Sequence, residues 1–104
     1  MNKSVRRSKA AEHDLQELAY QIAVIDGRMT TAERLIDELI EQAGNLAKTS
    51  GIAEMGTASP ELGERVRLFS HKRWVIVFRY EPHGVDVLRI VDGSQDLLNW
   101  KLSY

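Results

Sequence analysis

The sequence predicts an α+β domain: a short N-terminal strand, an antiparallel helical hairpin, then a three-stranded antiparallel meander. Three observations predict it. Apolar residues recur at three- and four-residue spacing through the first half of the chain, a glycine-punctuated stretch without period follows, and the second half alternates with a period of two. Ser4 to Arg7 precede a helix start and are read as a short strand. From Ser8, a plausible N-cap, Leu15, Leu18, Ala19, Ile22 and Ala23 fall on one helical face, with Glu12 and Asp14 near the positive end of the helix dipole. Gly27 supplies a left-handed residue to end that helix.

A second helix is predicted almost at once. Thr30-Thr31-Ala32-Glu33 has the capping-box pattern, and Ala32, Leu35, Ile36, Leu39, Ile40, Ala43, Leu46 and Ala47 form an apolar stripe. So few residues join the two helices that they must fold back on each other. Lys48 to Gly63, with Gly51, Gly56 and Ser59-Pro60, reads as a loop. Strands follow at Arg65–Phe69, Arg73–Tyr80 and Val85–Val91, separated by Ser70-His71-Lys72 and by Glu81-Pro82-His83-Gly84, both turn chemistry.

One domain spanning residues 1–104 accounts for this length. Apolar residues at 43% and charged residues at 28% are a globular mixture rather than that of a disordered chain. With no cysteine there is neither a disulfide framework nor a thiolate zinc site, and a reducing cytoplasm is the expected location. The longest apolar run, Trp74 to Phe78, is far short of the roughly 20 residues that span a bilayer, and no secretory signal follows the basic start. The formal charge of −1 is unevenly spread: four cations and no acid before Glu12, nine acids against three bases from Glu12 to Glu54, and a near balance beyond Ser59. A dedicated nucleic-acid binder carries a clear positive excess that this chain lacks.

Strand alternation predicts a surface. Trp74, Ile76, Phe78, Leu68, Leu88 and Ile90 are read as the face under the helices. The opposite face then holds Val75, Val77, Val85 and Val87 among Arg65, Arg67, Arg73, Arg79 and Arg89. One or two arginines there would be a wetted sheet face, but five around an apolar floor mark a binding surface. Guanidinium forks pair with carboxylates as with phosphates, and the valines favour a protein segment mixing acidic and hydrophobic residues. In the aromatic tail after Gly93, Trp100 is a candidate interface anchor. His13, His71 and His83 have no metal or triad spacing and are read as solvated, as are Asp37 and Glu41 one helical turn apart. Neither a metal nor a cofactor is indicated.

Several segments resemble the ParE branch of the ParE/RelE toxin superfamily, the toxic halves of bacterial type II toxin-antitoxin pairs. They are Ser8-Lys9-Ala10-Ala11-Glu12-His13-Asp14-Leu15, Ala32 to Asp37 with Leu46-Ala47, Gly56, Pro60-Glu61-Leu62, Arg67-Leu68-Phe69, and the long block from Arg73 to Arg79 into Gly84 to Gly93. The resemblance implies the RelE/ParE-like fold, a cognate ParD-like antitoxin whose C-terminal segment wraps the toxin, a toxin-antitoxin hetero-oligomer, and a role of the plasmid-stabilising kind. ParE-type members act on DNA gyrase, whereas RelE-type relatives cut messenger RNA in the ribosome. The family's common His-Gly-x-Arg-Asp is here Asp92-Gly93-Ser94-Gln95-Asp96, so an acid-base histidine and a phosphate-binding arginine are both replaced. A non-enzymatic gyrase inhibitor, neutralised by an antitoxin segment bound to the Arg and Val sheet face, is therefore expected. The alternatives are a ribosome-dependent endonuclease and a member that has lost toxicity.

Overall fold

Ser8 starts the first helix as its context requires. Its Oγ accepts from the Ala11 N–H at 3.0 Å and donates to the Leu88 carbonyl at 2.7 Å, so one hydroxyl caps a helix and ties it to a strand. The computed structural model describes residues 3–93. The order is β1 (Ser4–Arg7), α1 (Lys9–Tyr20), a π-helical turn (Gln21–Ile25), α2 (Met29–Lys48), β2 (Thr57–Ala58), a 3-10 turn (Pro60–Leu62), β3 (Arg67–His71), β4 (Trp74–Glu81) and β5 (Gly84–Asp92). The predicted strand, hairpin and meander are all present. The expected loop also carries β2 and the 3-10 turn, and Arg65, Val66 and Arg73 lie outside the strands assigned to them.

At the hairpin tip the Asp26 N–H reaches back five residues to the Gln21 carbonyl at 3.0 Å, and the Arg28 N–H bonds the Ile22 carbonyl at 2.9 Å across Gly27, whose φ is +69°. The widened turn rotates Val24 and Ile25 outward, where they are 57% and 58% exposed. The expected capping box does not form. Helix α2 begins at Met29 with no side-chain cap, so Thr30 and Thr31 already lie in its first turn.

The sheet order is β1-β5-β4-β3-β2, with β1 parallel to β5 and every other pair antiparallel. Gly84, at φ +141°, makes the β1 edge possible: a Cβ there would stand 2.1 Å from the Ser4 carbonyl oxygen. The helices cover Ile76, Phe78, Val85, Val87 and Ile90, with Trp74, Tyr80 and Phe69 partly buried at the margin. The other face has its own core, Val66, Val75, Val77, Leu88 and Val91, against which Leu62 and Leu68 pack.

Alternation holds along β3 and β4 and breaks in β5. Between Val77 and Phe78 the β4–β5 register shifts: Val77 opposes Arg89 while Phe78 opposes Val87, and Leu88 is the extra residue of a bulge. One inserted residue reverses parity, so Val85 and Val87 point to the helices and Leu88 away from them, the reverse of the expectation. Leu68 and Val66 likewise belong to the second core, because both sheet faces are apolar and period two cannot say which one the helices take.

Candidate functional site

The five arginines do not share a face. Arg89 turns to α1, where its Nε and Nη2 donate to the two Asp14 carboxylate oxygens at 2.7 and 2.8 Å, and the same carboxylate accepts the Ile90 N–H at 2.9 Å. Both side chains are largely buried, at 16% and 12% exposure. The bulge at Leu88 is the physical reason, since it re-aims the residue that follows. Arg67 opposes Phe78, a helix-side residue, and folds over the loop before β2. Its Nε donates to the Met55 carbonyl at 2.8 Å, Nη2 to the Gly56 carbonyl at 3.0 Å and Nη1 to Glu54 at 3.2 Å. These two guanidinium groups are structural clamps.

The other three lie nearer to solvent. Arg65, in a left-handed conformation at φ +61°, donates to Glu81 at 3.2 Å and to the Tyr80 carbonyl at 3.4 Å. Arg79 stands 3.8 Å from Glu81 and opposite Asp86, with its Nε buried and without a hydrogen bond. Arg73, the most exposed of the five, pairs with Asp92 and lays its guanidinium 5.0 Å from the Trp74 ring centroid. Val75 and Val77 are buried in the second core rather than exposed as a floor. Trp100 lies outside the described residues.

Two histidines read as solvated are in fact paired. His71 Nε2 lies 2.7 Å from Glu38 Oε1, and Lys72 Nζ lies 2.9 Å from the same oxygen. The Lys72 ammonium first, and then the His71 imidazole, hold the Glu38 carboxyl below its ordinary range. His83 Nε2 sits 2.7 Å from Asp86 Oδ1, close enough to pair as ions though not aligned as a hydrogen bond. His13 is exposed and 3.6 Å from Glu17, as a solvated histidine should be. Among the described residues no cluster of His, Asp or Glu could hold a metal ion, and no helix is long and apolar enough to cross a membrane.

Two surface features went unread in the sequence. The outer side of the hairpin carries an apolar groove formed by Ala19, Ala23, Met29, Ala32 and Ile36 with Glu33 and Asp37 beside them. Tyr20, Val24, Ile25 and Met29, all 56–62% exposed, cluster at its tip. The second feature is a cleft between the hairpin tip and the start of β4, where Arg28, Arg34, Lys72 and Arg73 gather around Trp74. Ala19, Ala23, Ala32 and Ile36 of the groove fall in the helical stripes and so read as core, Tyr20, Val24, Ile25 and Met29 lie outside both stripes, and the cleft joins segments about forty residues apart.

A sheet roofed on one face by a helical hairpin, packed on the other by its own side chains, and apolar at the hairpin tip defines a domain of the strand, hairpin and meander class. The family model described as ParE toxin of type II toxin-antitoxin system, parDE, matches residues 5–97, and the chain belongs to that family. The same fold occurs in a solved structure described as the chromosomal ParDE TA system from P. aeruginosa, at a TM-score of 0.69 and 20% identity. That alignment covers 88% of this chain and 96% of the other. No curated protein matches it.

Proposed function

We propose that this toxin arrests growth from the cytoplasm by acting on DNA gyrase without itself being an enzyme, and that a cognate ParD-like antitoxin wraps and neutralises it in a hetero-oligomer. The observation that carries the antitoxin reading is the hairpin groove. Four large apolar side chains more than half exposed at one tip, continuous with Ala23, Ala32 and Ile36, are a surface that monomeric proteins seldom leave uncovered. Glu33 and Asp37 at its margin select an antitoxin segment that is aliphatic with Lys or Arg beside it. Arg65, Arg73 and Arg79 already face Glu81 or Asp92, so a wrapping segment gains carboxylate contacts there only by displacing one of them.

The gyrase reading rests on family membership and on Asp92-Gly93-Ser94-Gln95, which supplies neither a proton-transfer histidine nor a phosphate-binding arginine. Purified toxin is expected to inhibit gyrase supercoiling and to trap cleaved DNA at micromolar concentration. Intact gyrase activity together with new cleavages in translated messages, read by primer extension, would instead establish the endonuclease. Normal growth on expression without antitoxin would mark a non-toxic member.

A further inference from the structure

The cleft beneath the hairpin tip is a second site, separate from the apolar groove. It encloses about 230 Å³. Two of its cations, Arg28 and Arg34, come from the start of α2 and the other two, Lys72 and Arg73, from the tight turn joining β3 to β4, so chain segments distant in sequence converge their positive charge there. Four cations face two carboxylates in the lining, Asp26 and Glu38, and a third, Asp92, pairs with Arg73 from just outside it, in a protein whose overall charge is −1. Nor are those carboxylates enough to quench the site. Glu38 is engaged by Lys72 and His71, Asp26 reaches Arg28 only at 3.8 Å, and among the described residues no carboxylate lies within ion-pairing distance of Arg34.

The rest of the lining says what kind of anion fits. Ile22, Leu35 and the Trp74 indole give it an apolar wall, and Gln21 and Thr31 bring an amide and a hydroxyl. Past Gln21, Arg73 and Trp74 the cleft opens into a shallower groove of about 410 Å³ beside Leu18 and Ile90, where Asp14, Glu17 and Asp92 also line the wall, so it has room for the flat uncharged body of a ligand while its anionic end is confined to the arginines. A bare inorganic anion would leave the apolar wall unused, and an uncharged ring would leave the cations unused. We propose that this cleft binds a nucleoside phosphate, with the phosphate held by Arg28 and Arg34 and the base lying against Trp74.

A nucleoside phosphate reaches such a site either as a free mononucleotide or as one unit of a single strand, and the two are separable by experiment. The ¹⁵N-labelled full chain is titrated with AMP, with an oligo-dA, with adenosine and with inorganic phosphate, following the Trp74 indole N–H by NMR. Saturable shifts of that signal with AMP are expected, at least about tenfold weaker in Arg28→Ala/Arg34→Ala and unchanged in Lys48→Ala on the far end of α2. Saturation by the oligonucleotide but not by AMP supports the site with a strand as its source. Phosphate binding as tightly as AMP, adenosine as tightly as AMP, or no saturable shift from any ligand overturns the proposal. Arg28 and Arg34 are exposed, and Arg28 stands 3.8 Å from its ion-pair partner Asp26, so the double variant is expected to keep its fold, checked by an unchanged amide spectrum away from the cleft.

Discussion

Replacing Arg89 by Met tests whether an arginine expected on a binding face is instead a clamp on the fold. Arg89 makes two charge-assisted hydrogen bonds to Asp14, and both partners are more than four-fifths buried. Removing one partner of a buried pair costs about 3–5 kcal/mol because a carboxylate is left in the interior. Here the Ile90 N–H still holds one Asp14 oxygen and some solvent reaches the pair, so a loss at or just below the bottom of that range, about 2–3 kcal/mol, is expected. For a domain of this size that is a fall in Tm of roughly 8–20 °C, and in urea a lower midpoint at unchanged m. The companion Arg89→Met/Asp14→Leu restores part of the loss. Roughly 1–2 kcal/mol remains, the cost of leaving the Ile90 N–H without its acceptor. Arg73→Ala, at a side chain 70% exposed, should cost less than about 1 kcal/mol. If Arg89→Met and Arg73→Ala prove equally mild, the buried-clamp assignment is wrong.

Three further outcomes follow from named contacts. Ser8→Ala removes an N-cap and a link to Leu88, and should cost about 1–2 kcal/mol by urea denaturation; a change under about 0.5 would deny the cap its role. Gly84→Ala forces a Cβ against the Ser4 backbone at φ +141° and should release β1, seen as fast amide exchange at the residues that β1 pairs; retained protection would refute it. The Glu38 pKa is lowered by folding, so its stabilisation is present above the ordinary carboxylate range and is lost as pH falls through the lowered folded value. Glu38→Gln should therefore flatten the acid limb of the stability profile, and an unaltered limb would show that Lys72 and His71 contribute nothing through it.

Most of the architecture was legible because it follows from period and punctuation. Ser8 caps α1 as expected, Gly27 takes its left-handed conformation after the π-helical turn that extends α1, the α2 stripe buries Ala32, Leu35, Leu39, Ala43, Leu46 and Ala47, and Trp74, Ile76, Phe78 and Tyr80 line the helix side. The site was not legible, and the reason is local. Period two fixes which residues share a face only while the register is unbroken, and Leu88 breaks it with no glycine or proline to announce the bulge. Nor does alternation reveal that the second face is a core in its own right, because Val66, Leu62 and Leu68 reach it from segments whose pairing depends on the tertiary fold. His71 was unreadable for the same reason, because Glu38 becomes its neighbour only once α2 packs on the sheet, whereas Asp86 stands three residues from His83 and the turn between β4 and β5 brings them together.

The scatter of the arginines alters what antitoxin recognition should look like. A face of five free guanidinium groups would make association strongly electrostatic, and its affinity would fall steeply as salt shortened the Debye length from about 10 Å at 0.1 M to about 3 Å at 1 M. Arg67 and Arg89 are instead committed to Glu54 and Asp14, and Arg65 and Arg73 already have carboxylates beside them, so an incoming acid must displace one rather than find a vacancy. What the toxin offers without such a cost is apolar area: Tyr20, Val24, Ile25 and Met29 at the tip and the groove behind them. Burial of that area predicts a large negative heat-capacity change on binding and an affinity nearly flat in salt. Val24→Asp/Ile25→Asp, at two solvent-exposed positions, should then weaken the antitoxin complex by a hundredfold or more, roughly 3 kcal/mol, while leaving toxin stability nearly unchanged. Calorimetry of the wild-type complex at 0.1 and 1 M salt decides the matter. A drop of several orders of magnitude with salt, alongside normal binding by the double aspartate variant, would return recognition to the guanidinium groups.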